Sequence, residues 1–508
     1  MTYSRPSSPL TPQALAGRGR ARTLRAAHTA GQAREFLRLQ NGVHAAEVSA
    51  AAGDGRLSAT VWVEDNAHGL PHRVLPDGTP LYELNAYETD YLVGEIFEEG
   101  VYSTAALRMP ARPLIIDIGA NIGLCSLYLA RAHPGATVYA FEPSPDAFTA
   151  LAANVAGLGL PVVALPWAVG GADGTAVMTV YPGATVYSGL YADGVGDRTA
   201  ISAAIDAAAD TGTEAGVRLA GEIADARMRG ARPVAVTVAG LPGVLARLGG
   251  ATVDLLKLDA EGAEADILGS LRDTDWTRIR QIVMEVHDEA DVRALTGLLT
   301  AAGYDCRVES LPALRGTGYR NVYAVRRDDD TAPPHPSNPP HPSDPPHPSD
   351  PSNLSDPSSE AGAPHSLLPV PPPHPRERLR QALEDFLGDD GPPVALEVRH
   401  GAPPAPATAS GTGTAVPAVA PAARNTDPAT LAVVTTVWTD LLTRPPGPQD
   451  DFFAAGGTSL TAVRLLARLR ERLGGTLALA DLLEEPTPAG LVHRLLTSPR
   501  PTRRTTES

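Results

Sequence analysis

Residues able to do chemistry fall in three short stretches of this chain. The first, Asp-Ile-Gly-Ala-Asn-Ile-Gly at 117–123, closes an apolar run and opens a helical pattern. Gly119 and Gly123 permit a tight strand-to-helix turn and close approach of a ligand to backbone. The dinucleotide fingerprint is absent, because Asn121 stands where its second glycine would be, and there is no Gly-Lys-Ser/Thr phosphate loop. Asp117 instead sets a carboxylate beside the turn, and Glu142, 25 residues later, ends the next apolar run. The second stretch pairs Asp259 and Glu261 with Glu285 and His287. A hydroxyl nucleophile needs alignment and somewhere for its proton, and Asp259 and His287 are the candidates to take it. The competing reading has Asp259 orient a ligand amine and His287 sit as a satisfied core histidine. The third stretch, Gly-Gly-Thr-Ser-Leu at 456–460, sets Ser459 at a helix start.

The elements that must position these groups alternate. Strand-like runs at Leu114–Gly119, Thr137–Glu142, Val162–Val169, Val253–Asp259 and Ile279–His287 are interleaved with helical patterns at 122–133, 145–157 and 290–302. Two last strands, 305–310 and 320–326, have only a Gly-containing turn between them. The pattern predicts an α/β doubly wound sheet closed by an antiparallel hairpin, with ligands at the carboxyl ends of its strands. A carboxylate at Asp117 disfavours a pyrophosphate, and one at Glu142 can accept both hydroxyls of a ribose. A nucleoside that carries positive charge and no phosphate satisfies both, and S-adenosylmethionine is such a molecule. Upstream, 70–103 reads as a hairpin around Pro76-Asp77-Gly78 plus a helix, and 188–232 as a mobile lid over an acceptor pocket.

The stretches LIIDIGANIGLCSLYLA, VYAFEPSPDAFTALAANV and VDLLKLDAEGAEADIL resemble the FkbM-type S-adenosylmethionine-dependent methyltransferases. YELNAYETDYLVGEIFEEGVYS at 82–103, YSGLYAD, IVMEVHD and NVYAV extend the likeness over about 74–327. The resemblance implies methyl transfer, usually to oxygen, and a class I methyltransferase sheet of seven strands. Carried over by position, Asp117, Gly119, Asn121 and Gly123 line the methionine part of the cofactor, with Tyr102 in the same site. Glu142 holds the ribose, and Trp167 and Ala168 lie near the adenine.

Residues 427–497 form four helical patterns around the loop GPQDDFFAAGGTS. This loop resembles the signature of thiolation (peptidyl carrier) domains of nonribosomal peptide synthetases, with Asp451-Phe452-Phe453, Gly456-Gly457 and Ser459-Leu460 in place. The resemblance implies that Ser459 receives 4′-phosphopantetheine, whose thiol holds an acyl or aminoacyl group. It also implies a phosphopantetheinyl transferase and loading and condensing enzymes of a nonribosomal peptide or polyketide pathway as partners. Thr458 departs from the His or Asp often found before that serine, which bears on partner choice. The alternative, an ordinary helix-capping loop, is disfavoured by the Phe pair.

Composition bounds the rest. The 508 residues exceed one ordinary core. A balance of 42 basic against 58 acidic residues, net −16, repels a phosphate backbone and argues against nucleic acid. Two distant cysteines argue against a disulfide scaffold or zinc site, and no 18-residue apolar run suggests a membrane span. The expected setting is cytoplasmic. Lys257 is the single lysine, a bias that fits GC-rich coding. Residues 333–375 hold 17 prolines in 43 positions and repeat a His-Pro-Ser hexamer. Their histidines read as solvated spacer rather than metal ligands. The expected divisions are a tail and variable extension at 1–73, the methyltransferase at 74–327, a Pro-rich disordered linker at 328–426 carrying one loosely attached helix at 376–387, the carrier at 427–497 and a tail at 498–508. A coil of about 100 residues would average roughly 55 Å end to end, long enough to let the carrier reach the cleft. The leading expectation is O-methylation of the carrier's own cargo. The alternatives are a free metabolite or nitrogen acceptor, and a non-catalytic carrier scaffold.

Overall fold

The computed structural model describes residues 29–51, 56–102, 107–192, 194–209, 214–310, 319–327, 367–388, 392–403, 427–442 and 445–450, and then 452, 455, 459–473, 477, 481–482 and 485–497. Helix α1 (29–38) precedes an antiparallel pair, β1 (Val43–Ala50) and β2 (Leu57–Val63). The expected hairpin around Pro76–Gly78 is β3 (His72–Val74) and β4 (Pro80–Tyr82), with Gly78 at φ 86° in its turn. Asn85 caps α2 (Ala86–Val93) by accepting from the Glu88 amide, and α2 runs on into a π-helical turn, Gly94–Glu98.

The large sheet follows. Its strands are β5 (Leu114–Ile118), β6 (Thr137–Phe141) and β7 (Val162–Leu165), alternating with α3 (Leu124–Ala132) and α4 (Pro145–Leu158). The chain then leaves the sheet. The run expected to be one strand over 162–169 is interrupted at Pro166, and β8 (Trp167–Gly170) joins a side sheet with β9 (Gly174–Val180) and β10 (Arg232–Gly240). Between β9 and β10 the stretch read as a mobile lid is a helical hairpin, α5 (Gly194–Ala209) and α6 (Glu214–Met228), held by Ile201 and Ile205 against Leu219 and Ile223 and by an Arg198–Asp225 ion pair.

After α7 (Leu241–Arg247) the sheet resumes with β11 (Leu255–Leu258). Short helices α8 (Glu264–Gly269) and α9 (Asp273–Trp276) lead to β12 (Gln281–Val286), α10 (Glu289–Ala301), β13 (Tyr304–Glu309) and β14 (Arg320–Arg326). The strand order is β13-β14-β12-β11-β5-β6-β7, with β14 antiparallel to both neighbours. This is the doubly wound seven-stranded sheet with a closing hairpin that the alternation predicts. Ile115, Val138 and Val283 face one apolar layer, and Ile116, Phe141 and Ile282 face the other, as period-2 alternation in a sheet covered on both faces requires.

The linker departs from expectation. Helix α11 (Pro375–Leu387) is not loosely attached, and β15 (Val394–His400), read as spacer, pairs parallel with β2 to complete a three-stranded sheet. Leu379, Ala382 and Leu383 of α11 pack with Phe36, Leu37 and Val61, and Phe386 stacks on Phe36 at 4.2 Å. Arg378 enters the main domain, where its guanidinium meets Asp146 at 2.6 Å. A thirteen-residue helix that is marginal alone is stabilised here by a buried face and a buried ion pair. The hexamer repeats, with His335, His341 and His347, and residues 404–426 lie outside the described residues.

The C-terminal unit is helical: α12 (Pro428–Leu442), α13 (Ser459–Leu473) and α14 (Pro488–Thr497) surround Val437, Trp438, Leu466 and Leu491. Phe452 is fully buried and meets Trp438 edge-on at 4.9 Å. The apolar cluster is continuous with α5 and α6, and Arg470 on α13 reaches Glu222 on α6 at 3.1 Å.

Candidate active site

A cleft opens at the carboxyl ends of β5, β6, β11 and β12. Strand register builds its floor by setting Lys257 of β11 beside Asp117 of β5. Residues two apart on a strand share a face, so Lys257 and Asp259 point the same way. The Lys257 ammonium stands 3.3 Å from Asp117 Oδ1 and 3.3 Å from Asp259 Oδ2, and donates to the carbonyls of Ile118 and Gly119. Burial alone would lower its pKa; Asp117 and Asp259 outweigh burial and hold it raised. Asp117 is fully buried, accepts from the Ser126 hydroxyl at 2.6 Å and is not among the residues lining the cleft. Its side chain therefore holds Lys257 and does not face the cleft, where it was expected.

The glycine turn has a second purpose beyond admitting a ligand. A Cβ on Gly119 would lie 1.8 Å from the Asp259 carbonyl oxygen, so glycine lets the β5 and β11 loops touch. Gly123 faces Leu151 of α4 rather than the cleft. Asn121 and Glu261 are the positive-φ residues other than glycine among the described residues, and they sit on those two loops. Such conformations are held by surroundings and cluster at functional sites. Asn121 is held by its own side chain, which accepts from the Ile122 amide and reaches Thr185 Oγ1 at 3.4 Å. Its backbone amide donates to Glu142 Oε2, while the Ser144 amide donates to Oε1, each at 2.8 Å. Burial pushes the Glu142 carboxyl up to about 7. Phe141, Pro143, Trp167 and Ala168 line the same end, and Tyr102 lines the cleft with its hydroxyl raised by burial.

The other end is acidic. His287 Nε2 lies 3.5 Å from Glu285 Oε1 and 3.6 Å from Glu261 Oε2, with its ring edge-on to Tyr319 at 4.6 Å. Burial opposes its charge, but Glu261 and Glu285 raise its pKa well above the ordinary value. Glu264 fixes the loop by accepting from the amides of Ala260 and Gly262. Asp259 and His287 are thus brought together, and His287 is satisfied by Glu261 and Glu285. The pattern reading missed two residues. Glu95, on the π-helical turn, lines the cleft, and burial with Glu285 and Asp259 nearby raises its pKa strongly. Lys257 is the other; its signal was available as the one lysine of the chain, two residues before Asp259 on an otherwise apolar strand. Ser459 is the first residue of α13, while Phe453 and Gly456–Thr458 lie outside the described residues.

Residues 117–306 match the methyltransferase FkbM domain, and residues 432–495 match the phosphopantetheine attachment site. The 31-O-demethyl-FK506 methyltransferase FkbM of Streptomyces tacrolimicus is 33% identical over 253 residues, spanning 50% of this chain and 95% of that enzyme. The chain belongs to the FkbM methyltransferase family. It is an S-adenosylmethionine-dependent methyltransferase joined to a phosphopantetheine carrier. The AMB antimetabolite synthetase AmbE of Pseudomonas aeruginosa is 32% identical over 448 residues, 84% of this chain but only 20% of that synthetase. The carrier alone is 53% identical over 49 residues to a dimodular nonribosomal peptide synthase of Bacillus subtilis, 10% of this chain and 2% of that protein. Among the described residues no helix is long and apolar enough to cross a membrane. The cleft suits the cofactor: a backbone-lined turn at Gly119–Asn121, a carboxylate at Glu142 already oriented by two amides, and an apolar wall at Trp167 and Ala168.

Proposed function

We propose that the cleft methylates a hydroxyl of the group its own carrier holds as a phosphopantetheine thioester, within a nonribosomal peptide or mixed polyketide pathway. The observation that carries this reading is the packing of the carrier's α13, which begins at Ser459, against α5 and α6. That insertion follows directly on Thr185–Leu190, which line the cleft, so carrier and cleft share one structural element. S-adenosylmethionine supplies an electrophilic methyl group on a sulfonium. The chain's residues do the rest. Glu142 accepts the ribose hydroxyls, the turn at Gly119–Asn121 takes the methionine part, and Gly123 keeps that turn close to α4. Lys257 fixes Asp259 by an ion pair, and Asp259, beside His287, takes the acceptor's proton. Ser459 is the attachment residue. The tether supports a cis reaction: with 367–403 packed on the methyltransferase, 23 residues (404–426) precede the carrier, about 80 Å at full extension. A shorter tether raises effective concentration.

The test uses the full chain loaded with a hydroxyacyl-pantetheine by a phosphopantetheinyl transferase, read by intact-protein mass spectrometry. Addition of one methylene's mass to the loaded chain, with no loading of Ser459→Ala, is the expected result. Equal rates on the free hydroxy acid and on the tethered thioester would overturn the cis reading.

A further inference from the structure

Glu88 stands in the first turn of α2 and is not among the residues lining the cleft, yet it is only 4% exposed. A buried carboxylate is costly unless its oxygens are hydrogen-bonded, so packing alone gives no reason for one here. Both oxygens serve one residue, 97 positions away. The Thr185 amide donates to Oε1 at 2.8 Å, and the Thr185 hydroxyl donates to Oε2 at 2.5 Å. Thr185 is itself buried and opens a short turn, Thr185–Tyr187, that lines the cleft. A hydroxyl has one proton, so Thr185 Oγ1, having given it to Glu88, can only accept from its other neighbour. That neighbour is Asn121, whose Nδ2 lies at 3.4 Å. With Nδ2 committed to Thr185, Oδ1 faces the Ile122 amide at 2.8 Å, and the Asn121 backbone amide, at φ 50°, points to Glu142. A second set of contacts ties the same spot to the helical hairpin against which the carrier packs. The Arg227 guanidinium, in the last turn of α6, lies 3.6 Å over the ring of Tyr87. A Cβ on Gly183 would come within 2.7 Å of the Arg227 carbonyl oxygen, so the end of α6 rests on the chain two residues before Thr185. Tyr87 and Tyr187 pack on the apolar cluster shared by α5, α6 and α13.

We infer that Glu88 is a positioning residue for the methyl donor: by fixing the direction of the Thr185 hydroxyl it holds Asn121, and with it the turn that takes the methionine part. The inference rests on the proposed cofactor end of the cleft and not on the identity of the acceptor. Direction, rather than size, is what the carboxylate supplies. Glu88→Gln fills the same space and keeps one oxygen for the Thr185 amide, but its new Nε2 donates to the Thr185 hydroxyl. The hydroxyl proton then turns toward Asn121 and meets Nδ2, donor against donor. Asn121 must release either Thr185 or the Ile122 amide, and a positive φ outside glycine persists only while its surroundings hold it. The clamp thus lies between the hairpin on which the carrier packs and the turn on which the cofactor rests.

Calorimetry of S-adenosylhomocysteine on the full chain at pH 8, with no acceptor and no loaded cargo, tests this. The affinity of the parent chain reports on the cofactor site itself, so failure of that reading is seen apart from failure of this one. Glu88→Gln should weaken binding about tenfold, the scale of one lost hydrogen bond, and Thr185→Val by a similar factor. The two act through one proton, so Glu88→Gln added to Thr185→Val should cost less than about twofold further. Thr185→Ser keeps the hydroxyl and should bind as the parent chain does. Parent affinity in a folded Glu88→Gln chain, or single losses that multiply in the double variant, overturns the inference. Should Glu88→Gln fail to fold, equal affinity in Thr185→Val and Thr185→Ser overturns it instead.

Discussion

Lys257 and Arg378 are both buried cations, with side chains 4% and 1% exposed, yet they serve different ends. Arg378 leaves the linker helix, pairs with Asp146 (1% exposed) through Nη1 and donates from Nη2 to the carbonyls of Asn41 and Gly69. Burial would raise the Asp146 carboxyl, but Arg378 outweighs it and the pKa is lowered. That network is closed: its outer members are backbone, and what it joins is α11, the β1–β2 layer and α4. Lys257 also pairs with a fully buried carboxylate, Asp117, but its second partner, Asp259, is 27% exposed and faces the cleft. Burial of a charge therefore does not separate structural from functional networks. An end that opens on a cavity does.

The largest effect expected from this contrast is on stability. Removing one partner of a buried pair leaves an uncompensated charge, at about 3–5 kcal/mol. Arg378→Ala should lower the free energy of unfolding by that amount in a denaturant titration, while S-adenosylhomocysteine affinity of the folded fraction stays near that of the parent chain. Lys257→Met should cost stability on the same scale, because it strands the fully buried Asp117, but it should also disable the cleft. Asp259, which faces the cleft, loses the charge that fixes it. Turnover should fall by about 10²–10³, the scale for removing one preorganised electrostatic group from an active site. A Lys257→Met chain that keeps its rate, beside an Arg378→Ala chain that loses its cofactor, would reverse the assignment.

The same contrast explains what could be read beforehand. Strands such as Leu114–Ile118 and Leu255–Leu258 are buried on both faces, so they stand out as continuous apolar runs. Asp117, Glu142, Asp259 and His287 were legible because each is a polar residue at the end of such a run. The β7–β8 break was not, since Pro166 interrupts apolar residues that continue on both sides. Arg378 and β15 were hidden for a different reason. Their partners, Asp146 and β2, lie more than 200 residues away, and Pro-rich composition around them reads locally as solvated chain. Lys257 was visible but was attributed to coding bias, because a lone cation carries no pattern until the register sets Asp117 beside it.

Glu142 sharpens the comparison as a buried carboxyl that no ion pair holds among the described residues. Two amides hold it, and its carboxyl is pushed up to about 7 by burial. The ionised form is the better acceptor for two ribose hydroxyls, so S-adenosylhomocysteine affinity should rise as pH increases through about 7 and fall below it. For folding the sign is opposite. The folded pKa lies above the ordinary 4.5, so the protonated form favours the fold and stability declines between about pH 4.5 and 7. Glu142→Gln should weaken binding by about 1.5–3 kcal/mol at pH 8, the scale for hydrogen bonds to a charged group. It should also flatten the pH dependence, which calorimetry at several pH values would check.

The smallest effect belongs to a network that is neither closed nor catalytic. Arg470 on the carrier is 10% exposed, but its partner Glu222 on α6 is 44% exposed, so water and salt screen the pair. Exposed pairs contribute about 0.2–1 kcal/mol, and 1 kcal/mol is about a fivefold change. Glu222→Arg should slow methylation of the tethered cargo by no more than about fivefold, and high salt should erase the difference. Reversing both residues, Glu222→Arg with Arg470→Glu, should restore most of the rate at low salt, because attraction returns while the apolar contact beneath is untouched. That contact, Leu219 and Ile223 in one cluster with Leu466 and Leu469, is where the carrier's docking energy resides. A reversal that abolished cis methylation, or a double reversal that failed to recover it, would move that energy from the apolar face to the charges.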